Sequence, residues 1–333
     1  MRPLRIALGQ FNPTVGDLRG NAERILSFTD EARQRGADVV AFPELALTGY
    51  PPEDLLFKKQ FLSDAAKQLT QLVEACPNIT LIVGTPEAVE GDPFHLGAAS
   101  YPDEVQGRIY NGAAVASGGQ ILAVYRKILL PNYGVFDEQR YFARGHECPV
   151  FTINGVQVGV NICEDIWYDL GPTTLQRLAG AEVILNINAS PYHVGRGAQR
   201  HTMLSKRAQQ HGVFIAYVNM VGGQDELVFD GQSVVFNPQG ELIARAPQFE
   251  NSLLVIDIDA DLVVPAKPTD DISHLNLERI GEPRHYTIQQ TLPGARAPIV
   301  APVAEELHPL TAVYQALVTG TRDYVVKSGF TGA

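Results

Sequence analysis

An α/β fold with a pocket at its strand ends is what this sequence predicts, and three observations predict it. Strand-like and helix-like periods alternate from the first residues onward. Residues 37–45 (ADVVAFPEL) and 181–188 (AEVILNIN) are nearly continuous apolar runs, the pattern of strands covered on both faces. Glu44, Lys127 and Cys163 each fall just past a predicted strand, where such a sheet opens its ligand crevice.

In order, residues 4–10 read as a short strand, and residues 17–35 carry Leu18, Ile25, Phe28 and Ala32 at helical spacing before Gly36 closes the helix. The buried strand of residues 37–45 terminates in Pro43-Glu44. After the loop 48–52, residues 53–76 read as one long helix and residues 79–84 as another buried strand. Residues 110–116 and 121–126 form a hairpin across Ser117-Gly118-Gly119-Gln120, and Lys127 follows directly. Residues 129–142 (LLPNYGVFDEQRYF) hold too many loop formers for a regular element and too many aromatics for a solvated linker, so they read as a folded loop lining a site.

Asn154-Gly155 is a strong hairpin signal and pairs residues 150–153 with 156–162. Cys163 stands where the second strand ends and the apolar run gives way to Glu164 and Asp165. A free cysteine is ordinarily a small buried hydrophobe; at a strand end it also suits a nucleophile facing a pocket. Residues 173–178 are helical, 181–188 a strand, 189–197 a polar loop, 198–212 a helix and 213–219 a strand. A hairpin of 231–236 with 241–246 turns at Asn237-Pro238-Gln239-Gly240, and residues 252–258 add a strand. Arg35-Gly36-Ala37-Asp38-Val39 echoes Ala179-Gly180-Ala181-Glu182-Val183, each ending a helix and opening a buried strand. The echo hints at two related halves, although helix, glycine, strand is also common grammar.

Composition narrows the function classes. The 333 residues hold 26 Lys and Arg against 37 Asp and Glu, a net charge of −11 with no local basic patch, which argues against nucleic acid. Cys76, Cys148 and Cys163 show no CxxC spacing and form no closed disulfide framework, so a metal is not expected and a reducing cytoplasm is. No apolar run approaches a membrane span, and a soluble protein is expected. Beyond Asp259, residues 292–305 (LPGARAPIVAPVAE) read as a linker, with the stretch before them free to wrap onto the main domain. Leu310, Val313, Tyr314, Leu317, Val318, Thr321, Tyr324 and Val325 then form an amphipathic stripe that stops at Gly329, expected to be mobile or packed on a partner surface.

A carboxylate, an ammonium and a thiol gathered at strand ends make an acyl-transfer set: base, oxyanion partner and nucleophile. The motifs around them resemble the nitrilase (carbon-nitrogen hydrolase) superfamily. More particularly, FPELALTGYPPEDLL (42–56), YRKILLPNYGVFDEQRYF (125–142), VNICEDIW (160–167), NASPYHVGR (188–196) and VGGQDELVFDGQS (221–233) are similar to the glutaminase domain of glutamine-dependent NAD synthetases, over about residues 4–260. The resemblance implies a four-layer α-β-β-α sandwich that pairs with another copy through its outer helices. It implies Glu44 as base, Cys163 as nucleophile forming a γ-glutamyl thioester, and Lys127 with the backbone N–H of Glu164 at the oxyanion.

By the same resemblance Glu138 holds Lys127, while Tyr133, Phe136, Glu164, Ser190 and Arg196 line a glutamine pocket, with Tyr50 as wall rather than contact. Arg196 suits the α-carboxylate of L-glutamine and Glu164 its α-amino group. No cofactor is implied for glutamine hydrolysis; the ammonia is implied to amidate deamido-NAD in a synthetase domain that uses ATP and Mg2+. The expected division is 1–260 glutaminase domain, 261–306 wrapping or linker segment, and 307–333 first helix of a synthetase domain cut before its SGGxDS-type loop. The SGG at Ser117 to Gly119 lies in a hairpin and reads as a turn. A free-standing amidase, nitrilase or carbamoylase, or a non-catalytic binding module, are the competing readings.

Overall fold

Two sheets stacked face to face, each backed by helices, explain why so many strands are apolar on both sides. The computed structural model describes residues 2–89, 108–263, 280–288 and 296–331. The first half runs β1 (Pro3–Gln10), α1 (Leu18–Gln34), β2 (Val39–Ala41), a 3-10 turn (Glu53–Phe57), α2 (Lys59–Glu74), β3 (Thr80–Val89), β4 (Arg108–Ser117) and β5 (Gln120–Arg126). The second runs β6 (Glu147–Ile153), β7 (Val156–Ile162), α3 (Pro172–Leu178), β8 (Val183–Asn188), α4 (Arg196–His211) and β9 (Phe214–Asn219). It continues with β10 (Val221–Gln224), β11 (Leu227–Asp230), β12 (Val234–Phe236), β13 (Leu242–Arg245), β14 (Ser252–Asp259), β15 (Glu282–Ile288) and the terminal helix α5 (Pro309–Lys327).

Sheet one has the order β14-β1-β2-β3-β4-β5 and sheet two β13-β12-β9-β8-β7-β6-β15. Alternation along each strand sorts the side chains. Leu4, Ile6 and Leu8 of β1 meet Val158, Val160, Leu185 and Val218 of sheet two in the central core, whereas Ala7 faces outward with Ile25 of α1 and Leu69 of α2. On the far side Ile184, Ile215 and Tyr217 pack under Leu204 and Ala208 of α4. The four layers are therefore helix, sheet, sheet, helix.

The two halves repeat one topology. Each sheet centres on three parallel strands, β1-β2-β3 and β7-β8-β9, flanked by antiparallel neighbours. The sequence echo falls at the same place in both: Gly36 and Gly180 adopt left-handed φ of 72° and 100° at a helix end. Ala37 then donates to Ala32 and Ala181 to Gln176, and the Asp38 and Glu182 carboxylates accept from the backbone N–H of Arg5 and Gln157. The echo is a shared helix-to-strand joint as well as common grammar.

Four expectations need correction. The strand expected over residues 37–45 is β2 alone, because the chain must turn at Pro43 to bring Glu44 inward. The helix expected over 53–76 breaks at Lys58, which is extended, so that Leu56 can reach the cluster holding Tyr50 and Leu45 while α2 covers sheet one. The stretch 292–305, expected as a linker, is a docked strap where it is described, while β15 before it joins sheet two parallel to β6, in keeping with the wrapping expected there. In the strap Arg296 pairs with Asp38, Ala297 accepts from Arg5 at 2.6 Å, and Ala304 donates to Arg245 at 3.0 Å. Residues 264–279 and 289–295 of the segment 261–306 lie outside the described residues. A hairpin at β10–β11 was not anticipated at all.

The fourth correction is α5, which docks on its own chain, and through a different face from the apolar stripe. Ala312, Ala316, Thr319 and Asp323 are buried against the β10–β11 hairpin, while Leu310, Tyr314 and Leu317 stay 64–75% exposed. Asp323 accepts from Asn12 Nδ2 at 2.6 Å and Gly223 N at 2.8 Å, and Lys327 Nζ donates to the Pro13 and Gly223 carbonyls, each at 2.8 Å. Polar anchoring of this kind is worth most through the cost of orphaning it. Replacing Asp323 by Ala is expected to cost about 1–3 kcal/mol, seen as faster amide exchange across Pro309–Lys327 with no change in sheet protection.

Candidate active site

The site forms where strand ends of the two sheets face each other. β5 runs antiparallel to β4, which runs antiparallel to β3, so the C-terminal end of β5 lies at the same edge as those of β1, β2 and β3. That places Lys127, the residue after β5, beside the turn after β2. The turn is tight: Ala46 N donates to Pro43 O, Leu47 N to Gly84 O, and Leu45 takes a left-handed φ of 49°. Cys163 follows β7 at a left-handed φ of 46°, opening a 3-10 turn over Cys163–Ile166. A non-glycine residue held there is strained, and the sheet beneath it maintains the strain.

Glu44 and Lys127 are fully buried and form an ion pair at 2.7 Å. Glu44 Oε1 also accepts from Asn111 Nδ2 at 2.7 Å, and Oε2 from Ala189 N at 3.0 Å. Lys127 Nζ donates in addition to Glu138 Oε1 at 2.8 Å, and that oxygen accepts from Tyr50 Oη at 3.1 Å. Burial works against the charge on Lys127, but Glu138 and Glu44 outweigh it and hold its pKa well above the ordinary value. Burial pushes the Glu138 carboxyl up against the pull of Lys127, with Glu44 adding to the rise. The Cys163 thiol, 4% exposed, is pushed well up by burial and by Glu44, with Lys127 opposing. At neutral pH it rests as a thiol and needs a base to become a nucleophile.

Around the opening, Tyr133 Oη donates to the Glu164 carboxylate at 2.9–3.0 Å, and Phe136 meets the Tyr133 ring edge-on at 5.7 Å. Arg196, the first residue of α4, stacks its guanidinium 4.2 Å above Trp167. Its charge also acts on Tyr133, whose pKa burial and Glu164 raise. Ser190 is buried one residue past Ala189, its backbone held in both directions by Asn219 at 2.9 and 3.2 Å. The structure thus gathers Glu44, Lys127, Glu138, Tyr50 and Cys163 in one buried cluster, with Tyr133, Phe136, Glu164 and Arg196 in a second group at the rim. Tyr50 is fixed by its hydrogen bond to Glu138 and by Phe229, so it supports the cluster rather than simply walling the pocket.

Sequence reasoning missed Asn111 and Gly84. Asn111 is an amide inside the apolar run of β4, and a polar residue in a doubly covered strand was the available signal. Gly84 gave none, because its demand is spatial: a Cβ there would lie 2.2 Å from Pro43 O and 2.3 Å from Leu45 N. Among the described residues no group of three or more His, Cys, Asp or Glu could hold a metal ion. Chemically, the cluster can take a proton from the thiol at Glu44 and offer an ammonium to a developing oxyanion.

Fold and site together define a four-layer α/β scaffold with a carboxylate, an ammonium and a thiol clustered at its strand ends. The family model described as carbon-nitrogen hydrolase matches residues 5–268, and the chain belongs to that family. The glutamine-dependent NAD(+) synthetase of Thermotoga maritima is 40% identical over 99% of this chain and 55% of its own length, and that of Aquifex aeolicus is 40% identical over 98% and 54%. The solved glutamine-dependent NAD+ synthetase of Acinetobacter baumannii in complex with ADP matches at a TM-score of 0.80 and 34% identity, over 99% of this chain and 53% of that one. A variant of the amidase from Nesterenkonia sp. AN1, with the acetamide moiety of fluoroacetamide added covalently at its active-site cysteine, matches at 0.66 and 25%, over 80% and 94%. This chain spans about half the length of the curated relatives it matches. No helix among the described residues is long and apolar enough to cross a membrane.

Gly84 is where backbone geometry is most directly tied to the site. Gly84→Ala is expected to lower stability by about 1–3 kcal/mol, read as a lower urea midpoint, and to slow alkylation of Cys163 because the Glu44 turn must move.

Proposed function

We propose that this chain is a glutaminase that converts L-glutamine to glutamate and ammonia. The observation that carries the reading is the Lys127 ammonium fixed between Glu44 and Glu138 beside the buried Cys163 thiol, behind a rim that offers a carboxylate and a guanidinium. Glu44 takes the thiol proton, and the thiolate attacks the side-chain amide carbon of glutamine. Lys127 and the Glu164 N–H meet the oxyanion, a contribution of about 3–4 kcal/mol per donor in comparable sites. Collapse expels ammonia with the proton returned from Glu44, leaving a γ-glutamyl thioester on Cys163. Water, deprotonated by Glu44, then releases glutamate. At the rim Arg196 holds the α-carboxylate, and the α-ammonium displaces the Tyr133 hydroxyl from Glu164. Phe136 and Ser190 close the pocket; Tyr50 and Glu138 hold Lys127.

By analogy with the longer relatives, the ammonia amidates deamido-NAD. The proposed division is a glutaminase unit at 1–260, a wrapping segment at 261–306 and the first helix of a synthetase domain at 307–333. The adenylating step with ATP and Mg2+ belongs to residues other than those described: Ser117-Gly118-Gly119 is the β4–β5 turn, not a phosphate loop, and no step is routed through it. Association with further copies and a cytoplasmic location complete the proposal; the three free thiols suit a reducing compartment. An amidase acting on simple amides is the second reading, favoured by the match to the Nesterenkonia amidase over most of that chain.

Comparing turnover of glutamine with that of acetamide and propionamide separates the two, and a preference for the simple amides would overturn the first. Cys163→Ala should abolish ammonia release in a folded protein, and Glu44→Ala should cost several orders of magnitude, about as much as removing both, since the groups act as a unit. Arg196→Lys keeps the charge but loses the planar fork and the stack on Trp167. The KM for glutamine should then rise about tenfold, and an unchanged KM would place the carboxylate clamp elsewhere.

A further inference from the structure

We propose that Asp165 is a positioning residue: it clasps the Cys163 turn to the end of β5 and so fixes the spacing of Cys163 and Lys127. The proposal rests on the glutaminase reading of the site. Asp165 is completely buried and touches no solvent. Its Oδ2 accepts from Tyr125 Oη at 2.6 Å and Ile162 N at 3.2 Å, and its Oδ1 from Leu129 N at 2.8 Å and Ile128 N at 3.3 Å. Three of the four donors come from the segment that carries Lys127, on sheet one; the fourth is the residue before Cys163, on sheet two. A turn that merely needed a cap would bond within itself. This carboxylate instead spans the seam between the sheets, at the point where nucleophile and oxyanion partner meet.

The far side of the same turn is held as well. Arg207 of α4 donates to Ile166 O at 3.0 Å and to Trp167 O at 2.7 Å. Between these anchors the turn has little freedom to absorb a change at Asp165, so a change there reaches Cys163. The groups facing Asp165 are Tyr125 and Cys148, both kept neutral by burial, and the Lys127 cation. Burial pushes the Asp165 carboxyl up to about 6, with Tyr125, Leu129, Lys127 and Ile162 opposing. A carboxyl raised in the folded state loses stability as pH rises through that value. The clasp is thus formed at a cost to stability, complete above about pH 6 and impaired below it when an O–H faces its donors.

Asp165→Asn keeps the shape and turns one acceptor into a donor. In the folded variant, checked by circular dichroism, kcat for glutamine should fall about 100-fold with KM within threefold. The pH midpoint of Cys163 alkylation by iodoacetamide, followed by mass spectrometry, should rise, because Lys127 opposes the high thiol pKa only at the native spacing. The alkylation arm needs no amide substrate. A wild-type chain that ignores glutamine would overturn the glutaminase reading alone, whereas an unchanged alkylation midpoint in folded Asp165→Asn would overturn the clasp. If that variant does not fold, Tyr125→Phe removes one donor and keeps the packing. It should raise the same pH midpoint of Cys163 alkylation by roughly half a pH unit or more, and a midpoint that stays in place would overturn the clasp equally.

Discussion

The constraint on which the site depends is that one ammonium, Lys127, is kept out of water. Removing a charge of that size from solvent costs several kcal/mol, and replacing a buried ion cluster with well-packed apolar residues is often stabilising. Its two carboxylate partners at 2.7 and 2.8 Å recover roughly 4–6 kcal/mol each at an effective dielectric near 20. Those carboxylates must themselves be desolvated, which is why Asn111, Ala189 and Tyr50 all donate to them. Such a cluster is poor value as a device for stability. Its burial at the strand ends speaks for chemistry, since a preorganised cation needs no solvent rearrangement when charge develops beside it.

The doubled architecture explains how the cluster is reached. Each half supplies a parallel core whose strand ends point to one edge, and stacking the sheets brings two such edges together. Sheet one delivers Glu44 and Lys127, and sheet two delivers Cys163 and the Ala189 amide. The joints at Gly36 and Gly180 set both helix-to-strand transitions alike, with an acidic side chain after each returning to a neighbouring strand. The strap of residues 296–306 fastens to both halves, to Asp38 and Arg5 on one and to Arg245 on the other.

How much of this was legible in the sequence depended on whether the cause was local. Asn154-Gly155 fixed a hairpin register that the structure keeps residue for residue, because a two-residue turn decides pairing by itself. The apolar runs located the buried strands. Glu44, Lys127 and Cys163 could be picked out because each sits at a change from apolar to polar. What failed was set by distant partners. The break at Lys58 follows from Leu56 having to serve the pocket, and β15 is formed by pairing with β6, to which its own exposed and polar residues gave no clue. The docking face of α5 was misread because Ala312, Ala316 and Thr319 are small, and close approach needs small residues more than large apolar ones.

Building the site across the seam also ties it to the folding history of the chain. Glu44 is bonded to Lys127 across 83 residues and to Ala189 across 145, so the site is built from long-range contacts. Closing loops of that length is entropically expensive, and contacts that depend on it form late. The first half could collapse around its own parallel core and still lack the thiol and the Ala189 amide that complete the site. The complete site is therefore a marker of finished assembly: the thiol and the Ala189 amide join the ion cluster when the two sheets dock, and a chain stalled before that step would be compact yet chemically silent.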